Sequence, residues 1–176
     1  TEIDQQSKTW AETLAGFSRQ RKTLAETLSG LGKQAWLVTG CGSTHYASLS
    51  AASLLRRLGI AAWAYPASEI VYFGEMLPTT DVNLLTISRS GTTTETQWAV
   101  DCYRKKYPHG KVVTITTQPE SPLAKASDLV LSADAAQEQS VAQTRSFTSM
   151  FILSQCLAGI LGGDAGLAER LEVLPA

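Results

Sequence analysis

The chain has 176 residues, a net charge of −1, and 44% hydrophobic against 18% charged residues. This length suits one ordinary domain with its own core, and the composition excludes a disordered chain. No basic run provides a footprint for nucleic acid. The most apolar stretch, residues 150–163, is too short to span a bilayer, so we predict a buried core helix there and no membrane association.

The first 32 residues have a helical pattern. Two apolar stripes recur at helical spacing, Trp10, Leu14 and Phe17 and then Leu24, Leu28 and Leu31. Strand signals follow neither stripe, so the pattern predicts two helices over residues 1–32 that pack on the main domain or on a partner chain. Exposure of the first stripe would favour self-association, for which a symmetric homodimer is the simplest closed form.

Between residues 33 and 163, short and almost continuously apolar runs alternate with amphipathic segments. The runs, at residues 35–39, 60–65, 82–87, 112–116 and 128–131, have the composition of strands buried on both faces. Helices are predicted at residues 44–58, 68–73, 93–106, 121–126 and 144–161. This alternation implies right-handed crossovers and a parallel sheet, and therefore one α/β domain over residues 33–163. Residues 164–176 are predicted to begin a further helix.

The cysteines and histidines argue against disulfide bonds and against a metal site. Cys41, Cys102 and Cys156 are odd in number and widely spaced, which favours free thiols and a reducing, cytoplasmic setting. His45 and His109 lie far apart, and no cysteine completes a metal-ligand pattern with either. We therefore expect no metal site.

Three segments are predicted to follow buried strands or to lead into the last helix of the sheet domain. They are residues 40–44 (GCGST), 88–93 (SRSGTT) and 140–147 (SVAQTRSF). Ligands of open parallel sheets bind at the carboxyl ends of the strands, near the switch point of strand order. In the first two segments, glycine, small hydroxyls and helix N–H groups together suit a phosphate. The same residue types also form ordinary loops and caps.

Known phosphate motifs do not describe these loops. No Gly-Lys-Ser/Thr follows the glycines as in a P-loop, and the first loop lacks the third glycine of a dinucleotide fingerprint. Residues 88–96 (SRSGTTTET) do resemble the S-x-S-G-E/N-T signature of SIS (sugar isomerase) domains. Residues 141–148 (VAQTRSFT) resemble the V-A-S-T-K-A-F-T segment in the isomerase half of glutamine–fructose-6-phosphate aminotransferases. Residues 41–44 (CGST), 67–69 (ASE) and 121–124 (SPLA) match further segments of that half in the same order.

The resemblance to the first SIS domain of that half implies a flavodoxin-like three-layer sandwich with a five-stranded parallel sheet. It implies a hexose or hexosamine 6-phosphate ligand and chemistry without a metal or redox cofactor. Carried over by position, it places the phosphate on Ser88, Arg89, Ser90 and Thr93, and the sugar against Ser43, Thr44, Val141 and Gln143. The chain departs from the family pattern where Gln143 replaces a serine, Thr92 a glutamate and Arg145 a lysine.

Related isomerases carry two SIS domains in tandem, and the resemblance places their catalytic glutamate, lysine and ring-opening histidine in the second. Residues 164–176 would then lead towards that domain, and we expect the isolated chain to be a poor catalyst. Within it, Glu69 is a candidate base for proton transfer between sugar carbons and His45 a candidate for ring opening. A capping or ion-pairing role for Glu69 and a hydrogen-bonding role for His45 remain open.

Three functions fit this pattern. The first is phosphosugar isomerisation, or amination or deamination of a ketose 6-phosphate, through an enediol-type intermediate. The second is a non-catalytic sugar-phosphate sensor or regulatory module. A DNA-binding segment would favour this function, but the sequence does not display one. The third is a single-domain isomerase whose neighbouring subunits complete the site.

Overall fold

The fold is described by a computed structural model for residues 1–164 and 166–175. Five parallel strands form one sheet in the order β2-β1-β3-β4-β5. In chain order they are β1 (Ala35–Gly40), β2 (Ala62–Pro66), β3 (Val82–Ile87), β4 (Val112–Thr116) and β5 (Leu129–Ser132). This strand order is flavodoxin-like, with its switch point between β1 and β3. The α/β class and the five-stranded parallel sheet are therefore confirmed.

Helices cover both faces of the sheet. They are α1 (Gln6–Thr27), α2 (Ser43–Arg57), α3 (Ala67–Tyr72), α4 (Thr94–Lys106), α5 (Pro122–Lys125), α6 (Arg145–Gly162) and α7 (Gly166–Leu171). One core lies between the sheet and α1, α2, α6 and α7, and a second lies between the sheet and α3, α4 and α5. The central strand β3 is buried along its whole length, as its continuous apolar run predicts.

The N-terminal region corrects one expectation, because it forms a single 22-residue helix rather than two. Phe17 and Leu24 are seven residues apart, close to two helical turns, so both stripes lie on one face. Leu14, Phe17 and Leu24 are 3%, 4% and 5% exposed in the chain's own core. The indole Nε1 of Trp10 donates to Oγ1 of Thr148 at 2.8 Å. The expected exposed stripe is therefore not available for self-association.

The edge strands begin later than predicted. β2 starts at Ala62 because Ile60 is buried in the turn after Gly59, whose φ is +84°. β5 starts at Leu129 because the side chain of Asp128 accepts a hydrogen bond from the backbone N–H of Val112 at 2.8 Å. Both differences lie where the chain enters a strand.

The long apolar segment near the C-terminus is a core helix, as predicted. α6 buries Met150, Leu153 and Leu157 and ends at Gly163, whose φ is +72°. The short helix α7 adds Ala168 to the same core. None of the helices in residues 1–164 and 166–175 combines the length and apolarity needed to cross a bilayer.

Candidate functional site

Residues 88–93, called here the phosphate loop, leave β3 as a tight turn. The buried Ser88 accepts a hydrogen bond at Oγ from the N–H of Gly91 at 3.2 Å. Ser90 Oγ accepts from the N–H of Thr92 at 3.2 Å and from its hydroxyl at 3.0 Å. Because both serine hydroxyls act as acceptors in these bonds, each keeps a proton that it can donate to an anion.

The phosphate loop runs into the N-terminus of α4. Thr93 is the N-cap residue, with extended backbone, and its hydroxyl makes no capping bond. The N–H groups of Thr96 and Gln97 bond to the carbonyl of Thr93. The preceding N–H groups of the first turn have no acceptor within the helix, and the helix dipole favours negative charge at this end. Hydroxyls and helix N–H groups therefore meet at one end of the loop.

Hydrogen bonds from two neighbouring segments, the end of β4 and α5, hold the phosphate loop in place. The carbonyl of Arg89 accepts from the hydroxyls of Thr116 and Thr117, both at 3.0 Å, at the end of β4. The carbonyl of Gly91 accepts from the N–H of Leu123 at 3.1 Å. Gly91 has a φ of +60°, and a Cβ there would lie 2.0 Å from Oγ of Ser121. The loop is thus held close to α5, where only glycine fits.

The loop after β1 lies on the other side of the switch point. Gly42 has a φ of +61° and caps α2. The buried hydroxyl of Thr44 donates to the carbonyl of Cys41 at 3.0 Å and accepts from its N–H at 3.1 Å. Ser43 is exposed on the first turn of α2. Thr44 therefore closes this loop, while the side chain of Ser43 is open to solvent.

Two side chains of the same loop bear on reactivity. Burial, with a further contribution from the nearby Glu95, raises the pKa of the Cys41 thiol. The thiol therefore stays protonated at neutral pH and is a poor nucleophile. His45 is half-buried, and its Nδ1 is buried without a hydrogen-bond partner in the described part of the chain.

Residues 138–143, called here the sugar segment, lie opposite the phosphate loop and lead into α6. Arg89 reaches across, and its Nη1 donates to the carbonyls of Ser140 at 2.7 Å and Val141 at 3.3 Å. Val141 is 92% exposed. Gln143 is half-buried, and its Oε1 has no hydrogen-bond partner among the described residues. The structure thus brings the side chain of Arg89 to the backbone of Val141, while the side chain of Val141 is open to solvent.

Glu138 was not among the predicted site residues, yet it organises this segment. Its side chain is 0% exposed and lies 3.7 Å from Nη1 of Arg89. It accepts hydrogen bonds from the N–H of Thr144 at 3.0 Å, from the hydroxyl of Thr144 at 2.6 Å, and from the hydroxyl of Ser146. Burial opposes ionisation, but these hydrogen bonds outweigh it and hold the pKa of Glu138 below its ordinary value.

Glu69 follows β2, the strand that pairs with the outer side of β1. It is exposed on the first turn of α3, which packs against α4 on one face of the sheet. It lines a cleft of about 300 Å³ together with Tyr65, Phe73, Met76 and Leu77. No other predicted site residue lines this cleft. Among residues 1–164 and 166–175, no three His, Cys, Asp or Glu side chains form a group able to hold a metal ion.

Known proteins are similar to this chain in sequence or in fold. The chain is 33% identical over 151 residues to glutamine–fructose-6-phosphate aminotransferase [isomerizing] of Pyrobaculum aerophilum, covering 86% of this chain and 24% of the relative. The enzyme of the same name from Xylella fastidiosa strain Temecula1 is 28% identical over 190 residues, covering 99% and 31%. The chain therefore spans at most about a third of these two curated relatives.

Solved structures agree on the fold. Tagatose-6-phosphate ketose/aldose isomerase from Escherichia coli superposes with a TM-score of 0.84 at 22% identity, covering 97% of this chain and 49% of that one. The Vibrio vulnificus NanR protein, complexed with ManNAc-6P, gives a TM-score of 0.71 at 20% identity, covering 97% and 65%. Residues 33–159 match the SIS domain family along most of the chain. The chain belongs to the SIS domain family, as its loop motifs predict.

Proposed function

We propose that the chain binds a hexose or hexosamine 6-phosphate at the carboxyl ends of β1 and β3. The observation that carries this proposal is the phosphate loop, where the hydroxyls of Ser88 and Ser90 meet the N-terminus of α4 beside the switch point. Two structures with the same fold support the ligand class, since one is named a tagatose-6-phosphate isomerase and the other holds ManNAc-6P.

Each loop has a distinct part in this proposal. Ser88, Ser90 and Thr93 donate hydroxyl protons to the phosphate, and Arg89 adds positive charge beside it. A second group faces the sugar or shapes the pocket around it, namely Ser43, Thr44, Val141 and Gln143. Because the hydroxyl of Thr44 already bonds to Cys41, its part is to hold the β1 loop in place.

The chain acts as part of an aldose–ketose isomerase or of an enzyme that aminates or deaminates a ketose 6-phosphate. Its hydroxyls and amides orient a sugar phosphate but cannot accept a carbon-bound proton near neutral pH. Glu69 lines a cleft that includes none of the predicted phosphate or sugar residues, so we propose that the base is supplied by another domain or subunit. A sugar-phosphate sensor is the second candidate, because it needs binding at these loops and no base.

Binding can be tested by calorimetry with glucose 6-phosphate and glucose. We expect the purified chain to bind the phosphorylated sugar only. The double variant Ser90→Ala/Thr93→Ala should lose about 1.5–3 kcal/mol of binding free energy per hydroxyl, with imperfect additivity. Thr80→Ala, an exposed threonine before β3, is the matched control. Equal binding of both sugars, or unchanged affinity in the folded double variant, would contradict the proposal.

Catalysis needs a separate measurement. We expect the chain alone to show little aldose–ketose conversion of fructose 6-phosphate, and a protein that supplies the missing base to restore it. Rapid conversion by the chain alone, abolished by Glu69→Gln, would instead make it a standalone isomerase.

We further propose a homodimer in the cytoplasm. Because the α1 stripe is buried, we assign the interface to another exposed apolar group, Tyr72, Phe73 and Met76, at the end of α3 and just after it. Light scattering should report a dimer that Met76→Glu converts to a monomer. The free cysteines Cys41 and Cys102 fit a reducing compartment.

A further inference from the structure

Glu138 joins the two halves of the proposed site. Its hydrogen-bond donors, Thr144 and Ser146, begin α6, which follows the sugar segment. Its ion-pair partner, Arg89, belongs to the phosphate loop. A fully buried carboxylate is tolerated only with such partners, because an unpaired charge in the interior is very costly. The groups that stabilise the carboxylate of Glu138 therefore come from both halves of the proposed site, the phosphate loop and the start of α6.

The backbone of the sugar segment is bonded on both sides. Arg89 occupies the carbonyls of Ser140 and Val141. The carboxylate of Glu2 accepts from the N–H of Gln139 at 2.7 Å and of Ser140 at 3.2 Å. With these backbone groups engaged, the segment is held in one conformation that leaves Val141 exposed. Arg89 can hold it only while its guanidinium stays oriented, and Glu138 is the buried acid beside that guanidinium.

We propose that Glu138 is a positioning residue that fixes the distance between the sugar segment and the phosphate loop by orienting Arg89 and the first turn of α6. This role rests on the proposed function, since it concerns how the same site holds its ligand. It assigns Glu138 no contact with the ligand. Loss of its charge should therefore affect a ligand that touches both halves more than one that touches only the phosphate loop.

The experiment compares fructose 6-phosphate with inorganic phosphate by calorimetry in Glu138→Gln. Glutamine has the same shape but loses the charge that pairs with Arg89. We expect fructose 6-phosphate to bind about tenfold more weakly or worse, because a charged hydrogen-bond network is weakened. Inorganic phosphate should change by less than about twofold, because Ser88 and Ser90 keep their bonds within the loop and Arg89, whose carbonyl stays bonded to Thr116 and Thr117, keeps its charge beside it. Glu12→Gln, exposed on α1, is the matched control.

A second variant guards against a failure of Glu138→Gln to fold. Ser146→Ala removes one hydroxyl donor to Glu138 at a fully buried and nearly isosteric position. It should weaken fructose 6-phosphate binding about fivefold and inorganic phosphate binding hardly at all. Equal losses for both ligands in the folded variants, or no loss for either, would overturn the positioning role while leaving the proposed function intact. Absence of fructose 6-phosphate binding by the wild-type chain would overturn the proposed function itself.

Discussion

At the residue scale, the shape of the phosphate loop depends on Gly91. Its φ of +60° costs an L-amino acid about 1–2 kcal/mol, and a Cβ there would overlap Oγ of Ser121. Gly91→Ala should therefore destabilise the chain by more than that strain alone, as measured by urea unfolding. Gly59→Ala is the control, since its φ of +84° is also left-handed but no atom lies within 4 Å of its Cβ position. Equal losses in both variants would show that the contact with Ser121 is unimportant.

Cys156 gives a second prediction at this scale. It lies in the core on α6, and burial raises the pKa of its thiol to about 12. The reactive thiolate is therefore almost absent at pH 8, which is an ordinary pH for alkylation. Mass spectrometry after brief iodoacetamide treatment should find Cys156 unmodified in the native protein and modified after denaturation. Labelling of Cys156 in the native protein as fast as the half-buried Cys102 would contradict this.

At the scale of elements, α1 belongs to the core of the domain. Phe17 is 4% exposed and packs in the cluster shared with α6. Phe17→Ala should cost about 3–5 kcal/mol of unfolding free energy, because it leaves a cavity that surrounding groups fill only in part. Gln20→Ala, exposed on the same helix, should cost little. A loss below 1 kcal/mol for Phe17→Ala, on the order of a surface substitution, would mean that α1 is dispensable for the core.

Asp128 links the start of β5 to its neighbours and makes stability pH-dependent. Burial opposes ionisation, but bonds from the Val112 N–H and from Arg104, together with the charge of Lys111, lower the pKa of Asp128. A lowered folded-state pKa contributes stability above the unfolded value, and this stability is lost as the pH falls through the folded pKa.

Asp128→Asn should therefore destabilise the chain at pH 7 by about 1 kcal/mol. The difference from wild type should shrink below about pH 4, where the carboxyl of the unfolded chain begins to protonate, and should vanish as the pH falls through the lower folded pKa. Chemical unfolding at several pH values measures it, with the exposed Asp101→Asn as control. A difference that is constant with pH would rule out a contribution from the charge.

For the whole molecule, the strands of the sheet could be predicted from the sequence because strands buried on both faces are continuous apolar runs. The run of β3 is predicted at residues 82–87 and lies at Val82–Ile87. The prediction of two N-terminal helices is wrong because Phe17 and Leu24, one from each apolar stripe and about two helical turns apart, lie on one face of a single helix. Burial of this face depends on α6, which local pattern cannot reveal.

The sequence predicts the loops of the candidate site but not their long-range bonds. Glycine and hydroxyl residues after β1 and β3 mark the two loops, because backbone turns and helix N-termini have local sequence signals. The direction of Arg89 and the role of Glu138 have no such signal, since they depend on contacts between residues about fifty positions apart. A buried acid three residues before Val141 becomes recognisable only when its partners are seen.

The order of these residues along the chain also governs when the complete site can exist during synthesis. The phosphate loop is made early, but the groups that hold its carbonyls, on Thr116, Thr117 and Leu123, are made later. Glu138 and the first turn of α6 come later still. A nascent chain therefore carries the loop long before it carries the residues that shape it. A sugar phosphate therefore cannot act as a template for the early steps of folding, and it can stabilise the complete site only after the first turn of α6 has emerged from the ribosome.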